Sequence, residues 1–172
     1  MLLIVDMLRG FMEEGYPLYC GNSARLIIPH IVSLAQETKK NSGKIIQIAD
    51  RHTPDDLEFQ LFPPHCIAGT REAEIIPELK DFGYYIPKQH FDPFIGSAVL
   101  LGDIIWGNNP SVTVTGVCTD ICVLYTVAGL CMRGYSVTVY SNCVASFNQD
   151  NHDYALKHME TVLGVQIKTY TP

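Results

Sequence analysis

The segment "SVTVTGVCTDICVLYTV", Ser111 to Val127, carries two cysteines four residues apart, Cys118 and Cys122, at the end of an apolar run. Such a pair can be half of a metal site, a redox couple, two inert core thiols, or a nucleophile beside a structural neighbour. A second pointed stretch is "ADRHTPDDLEFQLFPPHC", Ala49 to Cys66. Asp50 and His52 stand two residues apart in it, so on an extended backbone their side chains leave from one face. His65 follows Pro63 and Pro64, and Glu58 lies between. One carboxylate and two imidazoles, completed by a further carboxylate or water, suit Zn²⁺, or Fe²⁺ or Mn²⁺, and leave positions open for substrate or water. A merely hydrated loop has the same composition, and spacing alone does not separate the two. His30, His90, His152 and His158 lack such company and read as surface or core-edge residues.

These residues need elements to position them. Short β-branched runs alternate with helical patterns, which points to parallel strands joined by crossover helices. Strands are expected over 2–5, 44–49, 83–87, 111–117, 135–140 and 165–170, and helices over 23–40, 97–107, 119–132 and 151–163. In the first helix Leu26, Ile27, Ile31, Leu34 and Ala35 share a face, and Pro29 is compatible only with its first turns. Residues 50–76 show no sustained period and read as a long ordered loop of the kind that carries function.

In open parallel sheets, ligands bind beyond the carboxyl ends of the strands. Here those ends deliver Asp6, Asp50, Lys88 and the Cys118–Cys122 segment, so two acids, a base and a thiol meet one sheet edge. Each alone is commonplace, as a turn former, a solvated charge or a small hydrophobe; the coincidence is not. Thr119 or Asp120 is expected to cap the following helix. That places Cys122 in its first turn, where free N–H groups and the helix dipole favour a thiolate nucleophile. Cys118 then contributes its backbone N–H, with that of Cys122, to an oxyanion hole. A thiolate attacking an amide also needs a proton acceptor and a positive charge, for which Asp6 and Lys88 are the candidates.

Composition bounds the rest. A chain of 172 residues with 47% hydrophobic and 17% charged residues is expected to form a single domain over 1–172. Its net charge of −6 offers no basic patch for nucleic acid or for an anionic membrane. "MLLIV" is too short for a signal-peptide core, and no stretch reaches the roughly 18 apolar residues of a membrane span. The six cysteines therefore read as free thiols of a cytoplasmic protein.

Taken together, "VDMLRGF" with Asp6 and Phe11, "DRH…FPPHCIAGT", "IPKQHFDPF" and "TGVCTDICV" resemble the isochorismatase-like cysteine hydrolases and, within them, the nicotinamidases. The match runs in order over nearly the whole chain. The resemblance implies a three-layer αβα fold with a six-stranded, mostly parallel sheet, and a triad of Asp6, Lys88 and Cys122. It also implies a cis peptide before Cys118 and metal ligands Asp50, His52 and His65, with Glu58 as the fourth and Asp55 or Asp56 as weaker candidates. Phe11 and Phe62 would flank a pyridine ring. The implied reaction converts nicotinamide to nicotinate and ammonia through a thioester, in NAD salvage. One divalent ion, zinc before iron or manganese, would hold the ring nitrogen. The implied partner is this small molecule, not nucleic acid or membrane, and a homo-oligomer is left open.

The chain departs from the family at two places that bear on substrate preference. It has "DMLRGF" where many members carry Gln or Asn shortly after the first Asp, and Phe62 where Trp often stands. Two rival readings remain. A metal-free sibling would act on carbamoyl or ureido substrates. A thiol redox module would use Cys118 and Cys122, and would leave Asp6 and Lys88 unexplained.

Overall fold

The computed structural model describes residues 1–96 and 111–172; the helix expected over 97–107 lies outside them. Six strands form one sheet: β1 (Leu2–Val5), β2 (Ile45–Asp50), β3 (Tyr84–Lys88), β4 (Ser111–Val117), β5 (Ser136–Ala145) and β6 (Gln166–Lys168). Their order is β3-β2-β1-β4-β5-β6, and every neighbouring pair is parallel. β1 and β2 are buried along their whole length, which explains why their sequences are apolar runs without alternation.

The two faces of the sheet each have a core. Leu2 and Ile4 point to one, where they join Ile28, Ile31, Leu34 and Ala35 of the helix Ile28–Lys40. Leu3 and Val5 point to the other, with Val127 and Leu130 of the helix Leu124–Met132 and Met159 of the helix Gln149–Leu163. The period-2 alternation of β1 thus feeds two layers of helices, giving the αβα arrangement. In chain order the helices are α1 (Arg9–Met12), α2 (Asn22–Arg25), α3 (Ile28–Lys40), α4 (Leu124–Met132) and α5 (Gln149–Leu163). No helix among the described residues is long and apolar enough to cross a membrane.

Several element boundaries differ from those expected. The helix over 23–40 is broken into α2 and α3, with Pro29 in the first turn of α3, the one place where its missing N–H costs nothing. β5 runs on to Ala145, past a register shift against β4 between Val114 and Gly116. α5 starts at Gln149, capped by Asn148, whose Oδ1 accepts from the Asn151 N–H at 3.0 Å.

The strand order reverses between β1 and β4, so the carboxyl ends of these two strands open the crevice in which doubly wound sheets bind ligands. Asp6 follows β1, and Cys118 follows β4.

Candidate functional site

Asp6 leaves β1 in the left-handed region, with φ 51°, a conformation that Asp tolerates better than most residues. Its Oδ1 accepts from the Asp50 N–H at 2.8 Å, tying the ends of β1 and β2. Asp50 is register-paired with Lys88 across β2 and β3. From that outer strand the long Lys88 side chain reaches back over the sheet edge. Its Nζ lies 2.8 Å from Asp6 Oδ2, bonds Asp50 Oδ1, and donates to Cys122 Sγ at 3.4 Å. Asp6, Asp50, Lys88 and Cys122 are all buried. Four strand ends thereby put two carboxylates, one ammonium and one thiol in mutual contact.

The charges do not balance evenly. Burial, then the neighbouring Asp50 carboxylate, pushes the Asp6 carboxyl up to about 6, although Lys88 opposes this. Burial also works against an ionised Asp50, but Lys88 and His52 overcome it and hold that carboxyl at about 2. Burial pushes the Cys122 thiol well up; Lys88 opposes this, while Asp6 and Asp50 add to it. Burial thus favours the protonated thiol, beside a carboxylate with a raised pKa, and works against the thiolate expected at a helix N-terminus.

The turn that carries Cys122 also differs from expectation. Thr119–Val123 is a π turn leading into α4, with Cys118 in the capping position, and neither Thr119 nor Asp120 caps it with its side chain. Those side chains are engaged elsewhere: Thr119 Oγ1 with His152 Nδ1 at 2.8 Å, and Asp120 Oδ1 with Ser146 Oγ. The Cys118 carbonyl accepts from the N–H groups of Ile121 and Val123, both at 3.1 Å, and passes over that of Cys122. The peptide between Val117 and Cys118 is cis. Cys118 Sγ lies 3.6 Å from Cys20 Sγ, and all six cysteines are free thiols.

Beside this cluster, Asp50, His52 and His65 are buried and offer ligand atoms within 4.8 Å of one another. His65 Nε2 lies 3.9 Å from Asp50 Oδ2 and 3.6 Å from Glu58 Oε1, and His52 Nε2 lies 3.6 Å from Asp50 Oδ1. The other ring nitrogens are held from behind, His52 Nδ1 by Asp56 Oδ2 and His65 Nδ1 by the Pro63 carbonyl, each at 2.9 Å. Metal-bound imidazoles are oriented in this way. His52 Nε2 is buried with no hydrogen-bond partner among the described residues, an orphan that a cation would satisfy. The donor set of carboxylate and imidazoles fits a divalent ion of the zinc, iron or manganese type.

The protonation of the cluster tells the same story. Burial and the charge of Asp50 push Glu58 up to about 7. Burial lowers His52, but the carboxylates of Asp50 and Asp56 outweigh it and raise it to about 9. Burial moves His65 the other way, below its ordinary value, so protons are favoured at Glu58 and His52 alone, and ion binding would displace them.

Glu58 stands on a short 3₁₀ turn, Leu57–Gln60, whose cap is Asp56, with the Glu58 N–H donating to Asp56 Oδ1 at 3.0 Å. Asp56 therefore faces His52 and the backbone, away from the ligand position, and Asp55 is exposed. A narrow pocket joins the two clusters, lined by Asp50, Glu58, His65, Cys118 and Cys122. Its apolar wall includes Phe11 and Phe62, and also Phe91 and Phe147. Phe91 meets Phe62 edge-on at 6.1 Å and Tyr125 at 5.8 Å. Sequence reasoning missed Phe91, although it lies three residues beyond Lys88 in a motif already singled out, and missed Asp56 as the residue that orients His52.

Fold and site together define an αβα protein with a lysine-bridged carboxylate and thiol at the switch point of a parallel sheet. The chain belongs to the isochorismatase family: the isochorismatase-domain model matches residues 1–170. It is 32% identical to nicotinamidase PncA from Bacillus subtilis, whose crystal structure superposes with a TM-score of 0.87 over 97% of each chain. It is 31% identical to Nicotinamidase 1 from Arabidopsis thaliana, over 88% of this chain and 71% of that one. The zinc complex of the pyrazinamidase of Pyrococcus horikoshii is 26% identical, with a TM-score of 0.87 over 98% of each chain.

Proposed function

We propose that this protein is a metal-dependent nicotinamidase, a single-domain cysteine amidohydrolase that converts nicotinamide to nicotinate and ammonia in cytoplasmic NAD salvage. The observation that carries this reading is Lys88 Nζ, held between Asp6 Oδ2 and Cys122 Sγ beside the Asp50, His52 and His65 cluster. The names of the Bacillus and Arabidopsis relatives support it.

Asp6 takes the Cys122 thiol proton, and Lys88 stabilises the carboxylate before transfer and the thiolate after it. Cys122 Sγ attacks the carboxamide carbon. The N–H groups of Cys118 and Cys122, the latter passed over by the π turn, hold the oxyanion. Protonated Asp6 returns its proton to the leaving nitrogen, and ammonia departs, leaving a thioester. Asp6 then draws a proton from water as the water attacks the thioester, releasing the acid and restoring the thiol. Phe11, Phe62 and Phe91 enclose the ring and exclude water. Asp50, His52 and His65, completed by Glu58, would hold the divalent ion, which when bound supplies a Lewis-acid anchor for a ring nitrogen.

The test is ammonia release from nicotinamide, with and without chelator, alongside metal analysis of the purified protein. Activity is expected to vanish on chelation and to return with Zn²⁺, Fe²⁺ or Mn²⁺. A metal-free, fully active protein would favour a sibling that acts on carbamoyl or ureido substrates.

The acid limb of the pH profile follows from Asp6. Its carboxyl must be ionised to accept the proton, and its pKa lies at about 6. kcat/KM is therefore expected to be flat above that pH and to fall about tenfold per unit below it. A profile still flat at pH 5 would remove Asp6 from this role.

A further inference from the structure

Both proposed oxyanion donors, Cys118 and Cys122, belong to one turn, so the geometry of that turn sets the geometry of the reaction. Besides the contacts that Lys88 and Cys20 make to the two thiols, three hydrogen bonds reach it from outside the strand that leads into it. Thr126 Oγ1 donates to the Cys122 carbonyl at 2.7 Å from within α4. Asp120 accepts from Ser146, just beyond β5. Thr119 meets His152, in the first turn of α5, at 2.8 Å.

The Thr119 contact differs from the other two in its setting. Thr119 has 0% exposure, so its hydroxyl has no water to fall back on. His152 is anchored in turn: its N–H donates to the Asn148 carbonyl at 3.0 Å, and Asn148 caps α5. The segment 146–152 therefore meets the turn twice, through Ser146 and His152, and between them adds Phe147 to the cavity wall.

We propose that His152 is a positioning residue: through its hydrogen bond to Thr119 it holds the Thr119–Val123 turn so that Cys122 Sγ and the two oxyanion N–H groups face the carboxamide together. It touches neither substrate nor reacting atoms. This rests on the nicotinamidase reading for its catalytic consequence, but the contact itself does not depend on the substrate.

His152→Ala is expected to lower kcat for nicotinamide about 10- to 100-fold, because a displacement of an ångström at a reacting group has that effect. KM is expected to stay within about twofold, since the pocket walls and the ligand cluster are unchanged. His152→Asn, whose side-chain amide sets a polar atom near the Nδ1 position, is expected to recover most of kcat. Combined with Thr119→Val, His152→Ala should be no worse than it is alone, since both remove one shared contact. If His152→Ala does not fold, Thr119→Val, which removes the hydroxyl at nearly constant shape, carries the same expectation.

Hydrogen exchange of residues 118–123, followed without substrate, is expected to quicken in His152→Ala and to return toward wild type in His152→Asn. A wild-type kcat in His152→Ala, an Asn variant as poor as the Ala variant, or a loss confined to KM would overturn the inference. A wild-type protein that releases no ammonia from nicotinamide would overturn the proposed function instead. The inference would then stand or fall on the exchange result alone.

Discussion

Cys122→Ala is expected to abolish ammonia release, with kcat/KM down by about 10⁴-fold or more, the scale seen when a covalent nucleophile is removed. Among the described residues no second thiol stands beside Lys88 to replace it. Cys118 Sγ is paired with Cys20 Sγ at 3.6 Å, whereas Lys88 donates to Cys122 Sγ. Metal content should be unchanged, because Asp50, His52 and His65 all remain in place to hold the ion. Cys118→Ala provides the contrast: its proposed contribution is a backbone N–H, which the substitution keeps, so most activity should remain. Equal damage from the two substitutions would instead support the redox-module reading, and full activity in Cys122→Ala would end the nucleophile assignment. Ammonia release and metal analysis on both variants decide the matter.

Lys88→Met is expected to cost both activity and stability. Lys88 is buried, and its ammonium is shared by the carboxylates of Asp6 and Asp50 and the thiol of Cys122. Removing one partner of a buried ionic cluster leaves uncompensated charge, typically about 3–5 kcal/mol of stability. The sign of its pH dependence follows. Without the ammonium the two carboxylates repel and their pKa values rise, so protonation relieves the repulsion as pH falls. The deficit against wild type should therefore be larger at pH 7 than at pH 5. Activity should fall at every pH, since no positive charge remains to hold the thiolate. Chemical denaturation at the two pH values reads the first effect and ammonia release the second. A stability loss under about 1 kcal/mol at pH 7 would mean that the cluster is not held by Lys88.

Much of this site was legible because its residues stand at strand ends. Apolar runs of four to seven residues mark β1, β2 and β4. Once they are taken as parallel strands, Asp6, Asp50 and Cys118 must emerge at one edge. The His52 and His65 pairing was visible as composition, but whether a hydrated loop or a ligand set was present depended on burial. Both imidazoles are buried and each is oriented from behind, which is consistent with a ligand set.

Other features escaped for reasons that are equally physical. Thr119 and Asp120 have the residue types of helix caps, yet both side chains bond to segments more than twenty residues away, and the backbone forms a π turn instead. The roles of Asp56 and Glu58 could not be divided by spacing, since both lie in one short turn and only its orientation separates them.

By itself the sequence determined which groups are present and on which edge of the sheet they emerge, because alternation and strand ends are local properties of the chain. Only the tertiary structure decided how they act on one another. The order β3-β2-β1-β4 lets one lysine span two carboxylates and a thiol. Burial by both layers of helices sets their protonation, and a helix more than twenty-five residues downstream steadies the turn that carries Cys122. Contacts between distant segments and the exclusion of water arise from packing, which no local pattern records.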